Sequence, residues 1–324
     1  MFKNSVTVLA PAKLNLSLNV LGTLPNGYHD LDMVMQTITL HERLVLRRSR
    51  LLDVRMPGSR VPVNEKNTAV KAALAFFAYT GLLAGVEITI EKKVPVRAGM
   101  AGGSADAAGV LVGMNELYDA RLSMSELCAI GAGIGADVPF ALMGGTCRVQ
   151  GVGDWLKPLP PCPDCWFVVV MPSIGISTPE AFQRYDTMGS PTRPDCAEQE
   201  RAIRAGDLAA LCAAAGNALE YCSGAVETAA IRALLDEQGT TASLMTGSGA
   251  AVFGIFAQEA AAQAAAAALR QSYGKVYLAG PDRGGARCIP SARPRKKARP
   301  ARKRSEEIIL PPDKDPVPSA GTAD

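Results

Sequence analysis

Histidine is scarce, with two residues, His29 and His41, in a chain of 324. With a single CxxC pair, Cys162-Pro-Asp-Cys165, no complete zinc-ligand set can be read from spacing. Cys128, Cys147, Cys196, Cys212, Cys222 and Cys288 are scattered and form no disulfide framework in a chain this long, so residues 162–165 are expected to be a reduced loop. No apolar run reaches the ~18 residues of a membrane span; the nearest, Ala72 to Val86, is interrupted by Tyr79, Thr80 and Gly81. The apolar stretch Val6–Ala10 is too short for a secretory signal and runs into Pro11 and Lys13. These absences predict a cytoplasmic protein with no membrane partner.

Excess charge of one sign is also missing from most of the chain. The formal charge is +3, and residues 291–324 hold nine Lys/Arg against five Asp/Glu, a local +4 that leaves −1 for the rest. A body without basic excess is not expected to bind a specific nucleic acid. The terminal stretch, packed with cations and prolines from Arg293 to Arg304, cannot bury enough apolar surface to order itself. It reads as a disordered tail, whose cations could support weak, salt-sensitive contacts with polyanions.

The remaining residues have ordinary globular composition and enough length for two lobes. Leu14, Leu16, Leu18 and Val20 alternate with Lys13, Asn15, Ser17 and Asn19. That period of two predicts a half-buried strand whose polar face sets Lys13 beside Asn15. Leu24 to Tyr28 reads as a turn, 32–46 as strands, 67–77 as a helix, and Val86, Ile88 and Ile90 as one face of a strand. Residues 94–108 read as a glycine-rich loop entering a helix at about Ser104, and 124–131 as a helix capped by Ser123 or Ser125. Pro158 to Pro163 suggests a boundary. Beyond it, 166–171 reads as a buried strand, 202–215 and 225–237 as Ala-rich helices, 244–256 as strand, turn and strand, and 276–279 as the closing strand. Interleaving of this kind predicts an α+β fold, with lobes 1–160 and 161–290 and a tail 291–324.

The strongest chemical signal is the run Pro95, Val96, Arg97, Ala98, Gly99, Met100, Ala101, Gly102, Gly103, Ser104, Ala105. Glycines allow backbone to approach a ligand, and the helix that follows offers unpaired N–H groups and a positive dipole end. Together they suit a polyanion, although a tight turn with an N-capping serine has the same letters. No GxxxxGK[ST] occurs, and neither Gly131–Gly135 nor Gly247–Gly249 has dinucleotide-fold spacing.

The loop resembles the second motif of the GHMP kinase superfamily, Pro11–Leu16 resembles the first, and Thr246, Gly247, Ser248, Gly249 and the residues to Phe253 resemble the third. Within the superfamily the chain is most similar to the 4-diphosphocytidyl-2-C-methyl-D-erythritol kinase family, through Asn26–Asp30, Gly135–Phe140 and Ser177–Pro179, over nearly all of the chain to about Pro290. The resemblance implies an N-terminal lobe like the second domain of ribosomal protein S5 and a ferredoxin-like C-terminal lobe. ATP would lie between them and phosphorylate the 2-hydroxyl of a CDP-linked methylerythritol. It assigns Lys13 and Asp137 as the catalytic pair, Tyr28, His29 and Phe182 to the cytosine, and Asn15 and Thr178 to polar groups of the substrate. Arg97, Ala98, Ala101 and Ala105 depart from the family's glycines and second serine. Ala101 or Ala98 is expected to forbid some strained backbone, Arg97 adds a cation near the nucleotide, and Ser104 becomes the one loop hydroxyl for Mg²⁺. The alternatives are a homoserine or mevalonate-type kinase, and a non-catalytic binding protein on the same scaffold.

Overall fold

A computed structural model describes residues 3–224 and 226–290. The expected tail, 291–324, lies outside these residues. The chain is organised around a long antiparallel pair, β1 (Ser5–Thr23) and β2 (His29–Ser49), with Lys13 opposite Thr37 and Asn15 opposite Met35. Gly27, at φ +82°, closes the connecting turn by donating its N–H to the Leu24 carbonyl at 2.9 Å. The several strands expected over 32–46 are a single one. Its far end pairs with β4 (Gly85–Glu91), which carries the short parallel β3 (Asp53–Arg55). Its near end pairs with β5 (Thr146–Gly151), which carries β6 (Trp155–Pro158).

Helices α1 (Thr68–Thr80), α2 (Gly102–Tyr118), α3 (Met124–Ala132) and α4 (Val138–Met143) belong to the same half. Val8, Leu44 and Leu46 of the sheet form one core with Phe76, Val110, Leu111 and Met114 of the helices. Small residues bring α2 close, since a β-carbon at Gly113 would stand 2.6 Å from a Leu46 methyl. Ser123, not Ser125, caps α3, in a reciprocal pair with Glu126. Helix α2 begins at Gly102, ahead of the expected Ser104.

A second sheet, all antiparallel, has the order β11 (Val276–Ala279), β7 (Trp166–Val170), β10 (Val252–Phe256), β9 (Ala242–Met245). One face packs Val168 and Val170 on α8 (Val226–Glu237) and α9 (Glu259–Leu269), through Ile231, Leu235, Ala262 and Leu269. Its other face brings Phe167, Val169, Phe253 and Ile255 into a core with Leu14, Leu16 and Ile38 of the long pair. Helix α5 (Thr178–Met188), absent from the sequence reading, follows β7 and starts with a proline in its first turn. The single helix expected over 202–215 is two, α6 (Cys196–Ala205) and α7 (Leu208–Ala213). The chain breaks at Gly206, at φ 70°, and Asp207 caps the restart by accepting the Ala210 N–H at 3.0 Å.

The chain does not close at β11. It returns to the first sheet, where β12 (Arg287–Ile289) pairs with β1 at Thr7–Leu9, on the edge that β2 leaves free and that β8 (Gly216–Asn217) joins earlier in the chain at Ser17 and Leu18. The half-buried reading of β1 also needs correction, because its polar side is covered too. Ser17 donates to Gln199 Oε1 at 2.5 Å, and the Asn15 backbone N–H donates to Thr246 Oγ1 at 3.0 Å. The architecture is α+β, as the interleaved pattern predicts.

Candidate active site

A cleft of about 1050 Å³ opens along the polar side of β1 and the N-terminal end of α2. Lys13 projects from the strand and is only 6% exposed. Its Nζ donates to Asn15 Oδ1 at 2.5 Å and stands 3.9 Å from Asp137 Oδ2. Burial pushes the Lys13 ammonium below the usual lysine range, and the carboxylate of Asp137 opposes that shift. Asp137 sits at the N-cap of α4 yet makes no side-chain capping bond there. Its carboxylate faces the cleft beside Lys13 instead of closing a helix, which removes capping as the explanation for an aspartate at this position.

The glycine loop reaches this pair through backbone contacts. The Lys13 N–H donates to the Met100 carbonyl at 3.2 Å. Ala101, at φ 55° and ψ 34°, is the N-cap of α2 and supplies no side-chain bond to its first turn. The exposed start of a 17-residue helix thus keeps unpaired N–H groups and the positive end of its dipole toward the cleft. Ala101 and Arg97 (φ 56°) both occupy left-handed backbone. The expectation that alanine at 101 excludes such geometry is corrected: the loop adopts it at a cost of about 1 kcal/mol per residue. Ala98 has no positive φ and is buried. The third loop braces the second, because the Ala250 and Ala251 N–H groups donate to the Arg97 and Ala98 carbonyls at 3.3 and 3.2 Å. Asn217 ties it down from below, donating to the Met245 and Gly247 carbonyls, each at 2.8 Å.

Beneath the loop lies a buried ionic cluster that sequence reasoning missed. Lys92 Nζ meets Asp106 Oδ2 at 2.7 Å and also Glu42 Oε1, while Glu42 Oε2 accepts the Lys93 N–H at 2.7 Å. Two carboxylates share one ammonium in a buried site at the wall of the cleft. Burial, against the pull of Lys92 and with the push of Glu42, raises the Asp106 carboxyl to about 7. Through Lys92, the cluster links Asp106, near the start of α2, to Glu42 of β2. A signal did exist, since Asp106 directly follows the glycine run, but nothing in the sequence pairs it with Lys92.

At the other end of the cleft stand the residues expected to hold a base. Tyr28 is 65% exposed on its turn. His29 stacks on Phe182 with ring centroids 4.5 Å apart and planes inclined by 24°, and its Nε2 lies 2.6 Å from Asp186 Oδ1. Thr178 Oγ1 is 2.9 Å from Ser248 Oγ, which joins α5 to the third loop. Lys13, Asn15, Tyr28, His29, Asp137, Thr178, Phe182, Gly247, Ser248 and every loop residue from Pro95 to Ser104 line the one cleft. Ala105, Thr246 and Gly249 do not line it: Ala105 and Thr246 are fully buried, and Thr246 acts by accepting from Asn15. Asn64, Lys66, Asn67 and Thr68 also line the cleft beside the glycine loop and were not anticipated. Among the described residues no cluster of three metal-ligating side chains occurs, and no helix is long and apolar enough to cross a membrane.

The chain is similar to known proteins along most of its length. Residues 67–145 match the family described as GHMP kinases N terminal domain, and residues 200–275 match GHMP kinases C terminal. The 4-diphosphocytidyl-2-C-methyl-D-erythritol kinase of Pelotomaculum thermopropionicum is 41% identical over 277 residues, covering 84% of this chain and 96% of that one. The enzyme of the same name from Exiguobacterium sibiricum is 39% identical over 278 residues, covering 85% and 97%. A solved 4-(cytidine 5'-diphospho)-2C-methyl-D-erythritol kinase superposes with a TM-score of 0.73 at 32% identity, over 86% of this chain and 99% of that one. A homoserine kinase from Cytophaga hutchinsonii superposes at 0.70 with 18% identity, a likeness of fold alone. With the cleft, the loops and these relatives in agreement, the chain belongs to the 4-diphosphocytidyl-2-C-methyl-D-erythritol kinase family of the GHMP kinases, ATP-dependent phosphotransferases acting on a small-molecule alcohol.

Proposed function

We propose that this chain transfers the γ-phosphoryl group of ATP to the 2-hydroxyl of 4-diphosphocytidyl-2-C-methyl-D-erythritol, with Lys13 and Asp137 as its catalytic pair. The observation that carries the assignment is the meeting of Lys13 Nζ and Asp137 Oδ2 at 3.9 Å in the cleft that the uncapped start of α2 enters. Phosphoryl transfer has a loose transition state, so positioning and charge stabilisation contribute most of the rate. Asp137 accepts the proton of the substrate hydroxyl as its oxygen bonds to the γ-phosphorus and the bond to the β-phosphate oxygen breaks, releasing ADP. Lys13 offsets the negative charge that develops on the attacking oxygen, and burial strengthens that interaction. Backbone N–H groups of residues 99–104 hold the triphosphate.

Ser104 lines the cleft beside the loop, so its hydroxyl would be the one loop ligand for Mg²⁺, which would otherwise be held by phosphate oxygens and water. When bound it neutralises charge on the β- and γ-phosphates. Tyr28 and Phe182 supply stacking faces for the cytosine, and Asn15 and Thr178 take polar groups of the substrate. The lobes are taken as 1–160 and 161–290, a division supported by the start of the second sheet at Trp166. The compartment is taken as the cytoplasm, where ATP is the common donor. Neither a membrane nor a specific nucleic acid is a partner in this reading, and any contact of the tail with polyanions would be weak. Incubating the full chain with Mg-ATP and the CDP-linked alcohol, then weighing the product, tests the proposal. A species one phosphate heavier supports it, and unchanged alcohol beside intact ATP refutes it.

A further inference from the structure

One helix holds the imidazole of His29 on three sides. Phe182 stacks on it, Tyr185 meets it edge-on with centroids 6.4 Å apart and planes at 87°, and Asp186 Oδ1 lies 2.6 Å from Nε2. These positions stand at i, i+3 and i+4 of α5, so they share a helical face. His29 and Asp186 both line the cleft, with the His29 side chain 10% exposed. An ionised carboxylate can only accept, so Nε2 must carry the hydrogen, and a neutral ring then keeps its lone pair on Nδ1. No protein group among the described residues bonds to Nδ1.

We infer that Asp186 is a positioning residue that fixes His29 as a hydrogen-bond acceptor at Nδ1 and so selects a cytosine over a uracil in the bound nucleotide. This rests on the proposed reading that a CDP-linked alcohol is the substrate. Cytosine carries an exocyclic amino group on its pairing edge, which donates to an Nδ1 lone pair. Uracil carries a carbonyl oxygen at the same place, so two acceptors would face each other and one buried group would stay unpaired. An unpaired polar group of this kind lowers kcat/KM by roughly 10- to 100-fold. Without the carboxylate, the imidazole is free to move its hydrogen to Nδ1 and donate to the uracil carbonyl. The discrimination therefore belongs to Asp186 as much as to the ring it holds.

The test compares CDP-linked and UDP-linked methylerythritol as acceptors, with ATP as donor, in the full chain and in Asp186→Ala and Asp186→Asn. The wild type should favour the CDP compound by roughly 10- to 100-fold in kcat/KM. Asp186→Ala should bring that ratio within about threefold of unity while leaving KM for ATP within about twofold, a change that loss of packing alone would not make. Asp186→Asn, whose amide presents either oxygen or NH₂, should give an intermediate ratio. An unchanged ratio in Asp186→Ala, or a wild type indifferent to the base, overturns the inference while the kinase reading stands. Failure of the wild type to phosphorylate either compound overturns that reading instead. Nitrogen NMR of the imidazole provides an arm that needs no variant at position 186. With two histidines in the chain, His41→Asn assigns the signals. A pyridine-type Nδ1 with a pyrrole-type Nε2 on His29 supports the inference, and the reverse tautomer contradicts it.

Discussion

A β-carbon on Gly99 would stand 2.1 Å from the carbonyl oxygen of Thr246, so the glycine loop and the third loop meet backbone to backbone, with no room for a side chain. The contact is mutual, because a β-carbon on Gly247 would lie 2.8 Å from the Gly99 carbonyl oxygen and 3.2 Å from Lys13 Nζ. Two segments nearly 150 residues apart are thereby locked together beside Lys13. Gly99 also has φ +72°, which strains any other residue. Gly99→Ala should cost roughly 2–4 kcal/mol and lower the melting temperature by several degrees. A thermal melt that matches the wild type within a degree would show that the loops can part without cost.

Phe182 lines the cleft stacked on His29, and the proposed function gives it the nucleotide of the acceptor and not the triphosphate. Phe182→Ala should raise KM for the CDP-linked alcohol roughly 5- to 100-fold, the range for loss of one base–aromatic stack, with KM for ATP nearly unchanged. Steady-state kinetics with each substrate varied in turn provides the check. Equal rises in both constants would mean that the ring supports the cleft as a whole and not the base.

The buried cluster beneath the glycine loop makes stability depend on pH in a stated direction. Asp106 titrates at about 7 in the folded protein against 3.8 ordinarily, because burial disfavours its anion. The folded state therefore binds more protons than the unfolded state between those values. The contribution of Asp106 to stability is fully present below about pH 4 and is lost as pH rises through 7. Asparagine cannot titrate, so the melting temperature of the wild type relative to Asp106→Asn should fall steadily from pH 5 to pH 8. Parallel curves for the two proteins over that range would remove Asp106 as the titrating group.

How far the molecule could be read from its letters follows from which interactions are local. The alternation around Lys13 and Asn15 was legible because strand geometry puts every second side chain on one face. The cover over that face was not, since Gln199 and Thr246 arrive from far along the chain. Position 101 was misread because alanine ordinarily avoids left-handed backbone, and here the loop contacts around it override that preference. The glycine run was readable as a loop entering a helix through general backbone chemistry, whereas Glu42 and Lys92 below it look like ordinary strand-end charges until the fold buries them. Asp186 escaped notice because α5 was not recognised as a helix, and only the helical repeat sets it beside Phe182 and against His29. The assignment of Lys13 and Asp137 as a pair came from family resemblance, since 124 residues separate them in the sequence and no local rule joins them.

The role of that pair is tested most directly by replacing the carboxylate with its isosteric amide. Asp137→Asn should keep the affinity for ATP, measured by equilibrium titration, within about threefold, because the glycine loop proposed to hold the triphosphate is untouched. Turnover of the CDP-linked alcohol should fall by roughly 10²–10⁴ in the same preparation, the loss expected when a positioned base is removed. Turnover within a few-fold of the wild type, with ATP still bound, would contradict a catalytic role for Asp137 and with it the reading of the cleft.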